Sequence, residues 1–256
     1  VNDHAADLVR VLGQAHLDAS PIAARTAQIH ADVLSKSTYL DGPNFTRIHT
    51  ADLEFLFDAY DNTFFGGRIR GAIGDAALGF TLSRRMTRAG GQTRRYRDQQ
   101  TGVLHYEIGV ATSLLFGCFQ GDDHRPIVAS GIVCRDRLDA LQRVMEHEIT
   151  HLVEFLAWGE SSCARPRFCS ITRDFFGHTE NTHGLITPSE RAVVKFGITP
   201  GMKVRFRFEG VEHTGIVNRI NKRATVLVED PRGARYSSGK RYAKFYVPVQ
   251  NLEPAE

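Results

Sequence analysis

Residues 137–158 read RLDALQRVMEHEITHLVEFLAW, with the pentad His147-Glu148-Ile149-Thr150-His151 near their centre. On a helix, positions i and i+4 lie one turn apart on one face. Two imidazoles so placed can share one zinc ion, and Glu148, beside the first, can take a proton from a water on that metal. The spacing therefore predicts zinc-dependent peptide hydrolysis, with His147 and His151 as ligands and Glu148 as general base. Glu148 falls about 100° round the helix from His147. There it neighbours Val144, Leu152 and Phe155, and apolar surroundings raise a carboxylate's proton affinity. Zinc lowers the pKa of bound water towards about 7. A carboxylate tuned in this way can accept that proton and return it to the leaving amine.

Outward from this helix, the pattern predicts an α+β chain. Residues 2–37 read as helical: Leu8, Val9, Leu12 and Leu17, then Ile22, Ala23, Ala27, Ile29, Val33 and Leu34, recur at helical spacing, with Ser20-Pro21 as a start signal. Residues 41–44 (DGPN) form a loop. A third helix, capped by Thr50 or Asp52, carries Leu53, Leu56, Phe57 and Tyr60 and stops before Asn62. Strands are expected at 79–83 and 103–110, separated by a polar, basic loop over 84–97. After the motif helix, a second helix spans Pro166 to Phe176, with proline in its first turn and Gly177 just past its end. Beyond 200 the character changes. Short strands at 204–208, 215–217, 224–228 and 244–249, separated by Gly, Asn or Pro turns, suggest a small SH3-like β-barrel. The expected parts are an N-terminal helical segment (1–50), a metallopeptidase domain (51–190) and a basic β-module (200–253).

A catalytic zinc takes three protein ligands and leaves a position for water. Candidates for the third are Glu154, Cys163, His178 and His183. Glu154 shares the helix with His147 at i+7 and reads as a supporting or surface group. Cys163 precedes a helix whose N-terminus favours the thiolate, the form that binds zinc, and ranks first. His178 and His183 lie beyond that helix. Its length of about 16 Å carries His178 away from a metal at its start.

Composition sets the outer bounds. Apolar content of 42% and charged content of 24% describe a globular chain. There is no apolar run of membrane-spanning length, and none of the four cysteines (118, 134, 163 and 169) stands in a C-x-x-C pair. Reduced thiols in a cytoplasm, with nucleoid association, are the expectation. The formal net charge of +3 is uneven: between Met202 and Asn251 there are eleven Lys/Arg and four Asp/Glu. That module, and the loop with Arg84, Arg85, Arg88, Arg94, Arg95, Tyr96 and Arg97, suit DNA as a partner.

Three ordered segments resemble the SprT-like metalloprotease family, which includes the Spartan proteases. Residues 60–69 (YDNTFFGGRI) are similar to its aromatic–Gly-Gly entry segment, and 80–91 (FTLSRRMTRAGG) to its Ser-x-Arg-Met strand and Ala-Gly turn. The third is the pentad with Arg167-Phe168 downstream. The resemblance covers residues 53–185. It implies a zincin-like zinc peptidase domain with a small sheet, acting on proteins attached to DNA. The family's third ligand is a His four residues before an aromatic. Here Ala164 holds that place and Cys163 lies one residue off. Many relatives end in a zinc ribbon, whereas this chain offers the basic β-module. The alternative expectation is a nucleic-acid-binding adaptor with a structural or degenerate zinc site.

Overall fold

The computed structural model describes residues 3–14 and 19–255. Val1, Asn2, residues 15–18 and Glu256 lie outside them, so part of the first helical expectation, including Leu17, is not described. The chain divides into two compact units, Val1–Leu185 and Ile186–Glu256.

The first unit is built around one buried helix. Helices α1 (Asp3–Gln14), α2 (Ala19–Lys36) and α3 (Thr50–Tyr60) precede a π-helical turn at Asp61–Phe65 and α4 (Arg68–Ile73). His49 caps α3, in a reciprocal box with Asp52. Gly66 and Gly67 both have positive φ, 62° and 77°, conformations open to glycine at little steric cost. Asp61 accepts the Ile69 and Arg70 amides at 2.9 Å and so starts α4. A three-stranded sheet follows, ordered β1 (Ala77–Ser83), β3 (Leu104–Ala111), β2 (Gly91–Arg97). Strand β1 runs parallel to β3 and β2 antiparallel to it. Central β3 buries Tyr106, Ile108, Val110 and Ala111. A short helix α5 (Thr112–Leu115) and the β4 (Val128–Ala129) and β5 (Ile132–Val133) pair lead to α6 (Arg137–Trp158).

Helix α6 coincides with the quoted stretch. Asp136 caps its start by accepting the Asp139 amide, and Gly159, at φ 74°, ends it. Every residue from Arg137 to Thr150 is buried. A helix with charged residues facing all round can be buried only if those charges are paired. They are: Glu146 takes bonds from Arg143 and from Tyr60 (2.6 Å) and meets His178 Nε2 at 2.7 Å, while Asp139 engages Arg143. Helix α7 (Pro166–Phe176) completes the unit, its Phe175 stacked on Phe65 at 4.7 Å.

One expectation is corrected here. The basic stretch 84–97 is a loop only to Gly90; Arg94, Arg95 and Arg97 stand on β2, an edge strand with six of its seven residues outside the core. An edge strand that buries almost nothing shows no alternation of apolar residues to read.

The second unit holds α8 (Pro188–Phe196) and strands β6 (Lys203–Phe208), β7 (Val211–Ile220), β8 (Ala224–Arg235), β9 (Arg241–Val247) and β10 (Glu253–Pro254). All neighbouring strands are antiparallel, in the order β10-β6-β7-β8-β9. The expected closed barrel is therefore not formed: among the described residues the sheet is open, and no ladder joins β9 to β10. Its core is Ala192, Ile198, Val204, Phe206, Val217, Ile220, Ala224, Val226, Val247, Val249 and Leu252. No helix among the described residues is long and apolar enough to cross a membrane.

Candidate metal centre

The one-turn spacing on α6 brings His147 and His151 together. Their Nε2 atoms lie 3.2 Å apart, and both rings pack on buried Phe168 of α7 at 4.7 and 4.6 Å. Cys163, from the loop between α6 and α7, joins them. One ligand atom from each of His147, His151 and Cys163 lies within 4.8 Å of the others. A second group of the same tightness combines His147, Glu148 and His183. These buried groups could hold a metal ion.

Hydrogen bonding shows which nitrogens offer lone pairs. His151 Nδ1 lies 2.6 Å from Ser161 Oγ, whose own hydrogen goes to Glu154 Oε2 at 2.7 Å. Ser161 thus accepts from His151 Nδ1–H, which leaves the Nε2 lone pair facing His147. Glu154, fully buried, is held in turn by Arg167 Nε at 2.7 Å and the Ser162 amide at 3.1 Å. It is a supporting group, one of the two roles its i+7 spacing allowed. His147 Nδ1 is buried without a protein partner. His183 is the reverse of His151. The Gly90 and Gly91 amides donate to its Nδ1 at 2.8 and 3.2 Å, so the proton of a neutral ring sits on Nε2.

Burial keeps these imidazoles neutral. Burial, then the nearby His183 and His151, hold His147 far below the usual imidazole range. Burial lowers His151 to about 4, and burial with His151 and His178 lowers His183 to about 4. Neutral nitrogens are the ones that bind metal. Glu148 moves the opposite way: burial raises it to about 8, against the bond from Thr93 Oγ1 to Oε2 at 2.7 Å. The apolar setting read from the helix face is present, since Val144 and Leu152 are fully buried.

His178 belongs to no group of potential ligands. It is held by Glu146 at 2.7 Å, next to His147 in the chain. Several contributors had no sequence signal of their own, among them Thr93, Ser161 and Asn181, whose Nδ2 binds the Cys163 carbonyl at 2.7 Å. Gly90 and Gly91 did have one, the Ala-Gly-Gly turn, but its reason is spatial. A Cβ on Gly91 would stand 2.7 Å from Glu148 Cγ, and one on Gly90 2.7 Å from His183 Nδ1. The glycine pair lets the edge of the sheet approach the motif helix.

Compared with protein-family models, curated proteins and solved structures, the chain matches none of them.

Proposed function

We propose that this chain is a zinc-dependent metallopeptidase of SprT-like type, hydrolysing peptide bonds in proteins held on DNA. The observation that carries the reading is the convergence of His147, His151 and Cys163 beside a buried Glu148. Two neutral imidazoles and a thiolate form a donor set suited to zinc, with a fourth position left for water. Bound there, zinc supplies Lewis acidity and lowers the pKa of water. Glu148 holds and moves the proton. Beside a bound dication Glu148 would be ionised and able to accept a proton from water, and its burial, which raises its proton affinity, helps it hold that proton until it passes to the leaving nitrogen. Thr93 fixes one carboxylate oxygen and leaves the other free to work. On this reading the first unit is a zincin-like domain and the second an SH3-like module.

The DNA part of the proposal is supported by charge. Arg94, Arg95 and Arg97 line an exposed edge strand, with Tyr96 about half exposed between them, and the stretch from Met202 to Asn251 carries an excess of seven positive charges. Reduced cysteines and a cytoplasmic, nucleoid-associated location fit the same picture. Replacement of Glu148 by Gln is expected to keep zinc and lower cleavage of a labelled protein substrate by about 10²–10⁴-fold. Undiminished proteolysis in Glu148→Gln would overturn the reading. A fourth protein ligand in place of water would favour the adaptor alternative, as would salt-dependent DNA binding without cleavage.

A further inference from the structure

Resting on the metallopeptidase reading, we propose that His183 is a catalytic donor to the oxygen of the scissile carbonyl rather than a third metal ligand. Two backbone amides, from Gly90 and Gly91, donate to its Nδ1 at 2.8 and 3.2 Å. A nitrogen that accepts carries no proton, so the neutral ring keeps its hydrogen on Nε2. A protonated Nε2 has no lone pair for a metal, but it is a directional donor. That N–H is buried and has no hydrogen-bond partner. The carboxylate oxygen facing it, Glu148 Oε1, lies 3.6 Å away, outside hydrogen-bond reach. The His183 ring therefore sits among the reacting groups, 4.4 Å from the His147 ring between centroids and grouped with His147 and Glu148, with the Nε2 hydrogen uncommitted. Buried donors are nearly always satisfied. An acceptor that arrives with the substrate answers this one.

The donor is also held in place beforehand. His178, five residues earlier, is anchored on Glu146 at 2.7 Å. The Thr182 carbonyl accepts the Ser130 amide at 2.7 Å. Asn181 bonds the Cys163 carbonyl, so one loop braces a ligand and the donor together. Gly184, at φ 48°, closes the loop so tightly that a Cβ there would lie 2.0 Å from Val128 O. Fixed donors aimed at developing charge need no reorganisation during reaction. In the step itself, the water oxygen bonds to the carbonyl carbon while Glu148 takes one water proton. The carbonyl π pair moves to its oxygen, which accepts the His183 Nε2–H without proton transfer. The pair then returns, the C–N bond breaks, and the Glu148 proton goes to the amine nitrogen.

The test uses the zinc-loaded full chain, with fluorescein-labelled casein as substrate, with and without a single-stranded oligonucleotide. His183→Ala is expected to keep zinc through dialysis as the parent does, and to lose kcat by about 10²–10³-fold with KM little changed. His183→Gln, which retains an N–H, should recover part of that loss. Cys163→Ala should lose zinc. In the parent, two-bond ¹⁵N–¹H spectra should show His183 Nδ1 as the proton-free nitrogen. This measurement stands even if His183→Ala fails to fold. Zinc lost from His183→Gln, a metal-ligated Nε2 in the spectra, or an unchanged kcat in a folded His183→Ala would overturn the proposal alone. A zinc-loaded parent that leaves casein intact under both conditions contradicts the peptidase reading and removes the proposal with it.

Discussion

At the scale of single residues, the site works by fixing where protons are. Ser161 accepts from His151, two glycine amides donate to His183, and Thr93 donates to Glu148. The His151 and His183 rings are each committed to one tautomer by these bonds, and one oxygen of the Glu148 carboxylate is held in place. The raised proton affinity of Glu148 has a consequence for the metal-free protein. Below its unfolded value of about 4.5, Glu148 is protonated in both states and costs nothing. From there to about 8, folding must take up a proton, so stability falls as pH rises. His147, His151 and His183 have lowered values, so the stability they cost is recovered as pH rises through the unfolded value of about 6.5. Between pH 6.5 and 8 the Glu148 contribution therefore stands largely alone. Urea midpoints of the chelator-treated parent should fall over that range, and those of Glu148→Gln should stay flatter. Parallel profiles would show that Glu148 is not held protonated by burial.

At the scale of elements, the motif helix and the loops after it play different parts. Helix α6 was legible from sequence because Asp136, Gly159 and the apolar positions all mark the same boundaries. Its all-round burial was not, since Arg143, Glu146 and Asp139 look like a solvated face until Tyr60 and His178 arrive from distant parts of the chain. The same limit hid Thr93 on β2 and Ser161 in the loop: each acts through a partner far away in sequence or across a loop, and neither residue type is distinctive. Cys163 could be ranked from the sequence because thiols near a helix start are uncommon and chemically marked. The choice between it and His183 turns on two backbone amides that no sequence pattern displays. The α6–α7 loop makes a testable element. Ser161→Ala removes the acceptor that orients His151, and should weaken zinc affinity by about 10–100-fold while leaving the fold intact. Competitive titration against a chromophoric chelator measures it; unchanged affinity would mean the Ser161 contact does not orient the ligand.

At the scale of the whole molecule, the chain divides into two units. The first carries every residue of the candidate centre. The second has a core drawn entirely from its own α8, sheet and adjoining turns, Ala192 to Leu252. A fragment of residues 186–256 should therefore fold alone, with a cooperative thermal transition by circular dichroism that chelators do not move. A fragment that melts without cooperativity would show that its core is incomplete. From composition and short strands the sequence pointed to a β-module over 200–253, a stretch that lies within the second unit, Ile186–Glu256. It misread the closure, because alternation defines which face of a strand is buried but not whether the last strand reaches the first. The claim on which the rest depends is a single zinc held by His147, His151 and Cys163. X-ray absorption at the zinc edge of the purified parent addresses it directly. The expected spectrum contains one sulfur at about 2.3 Å and two imidazole nitrogens at about 2.0–2.1 Å, with a light-atom ligand completing four. A bound zinc with no sulfur neighbour, or a chain that holds no zinc at all, would contradict it.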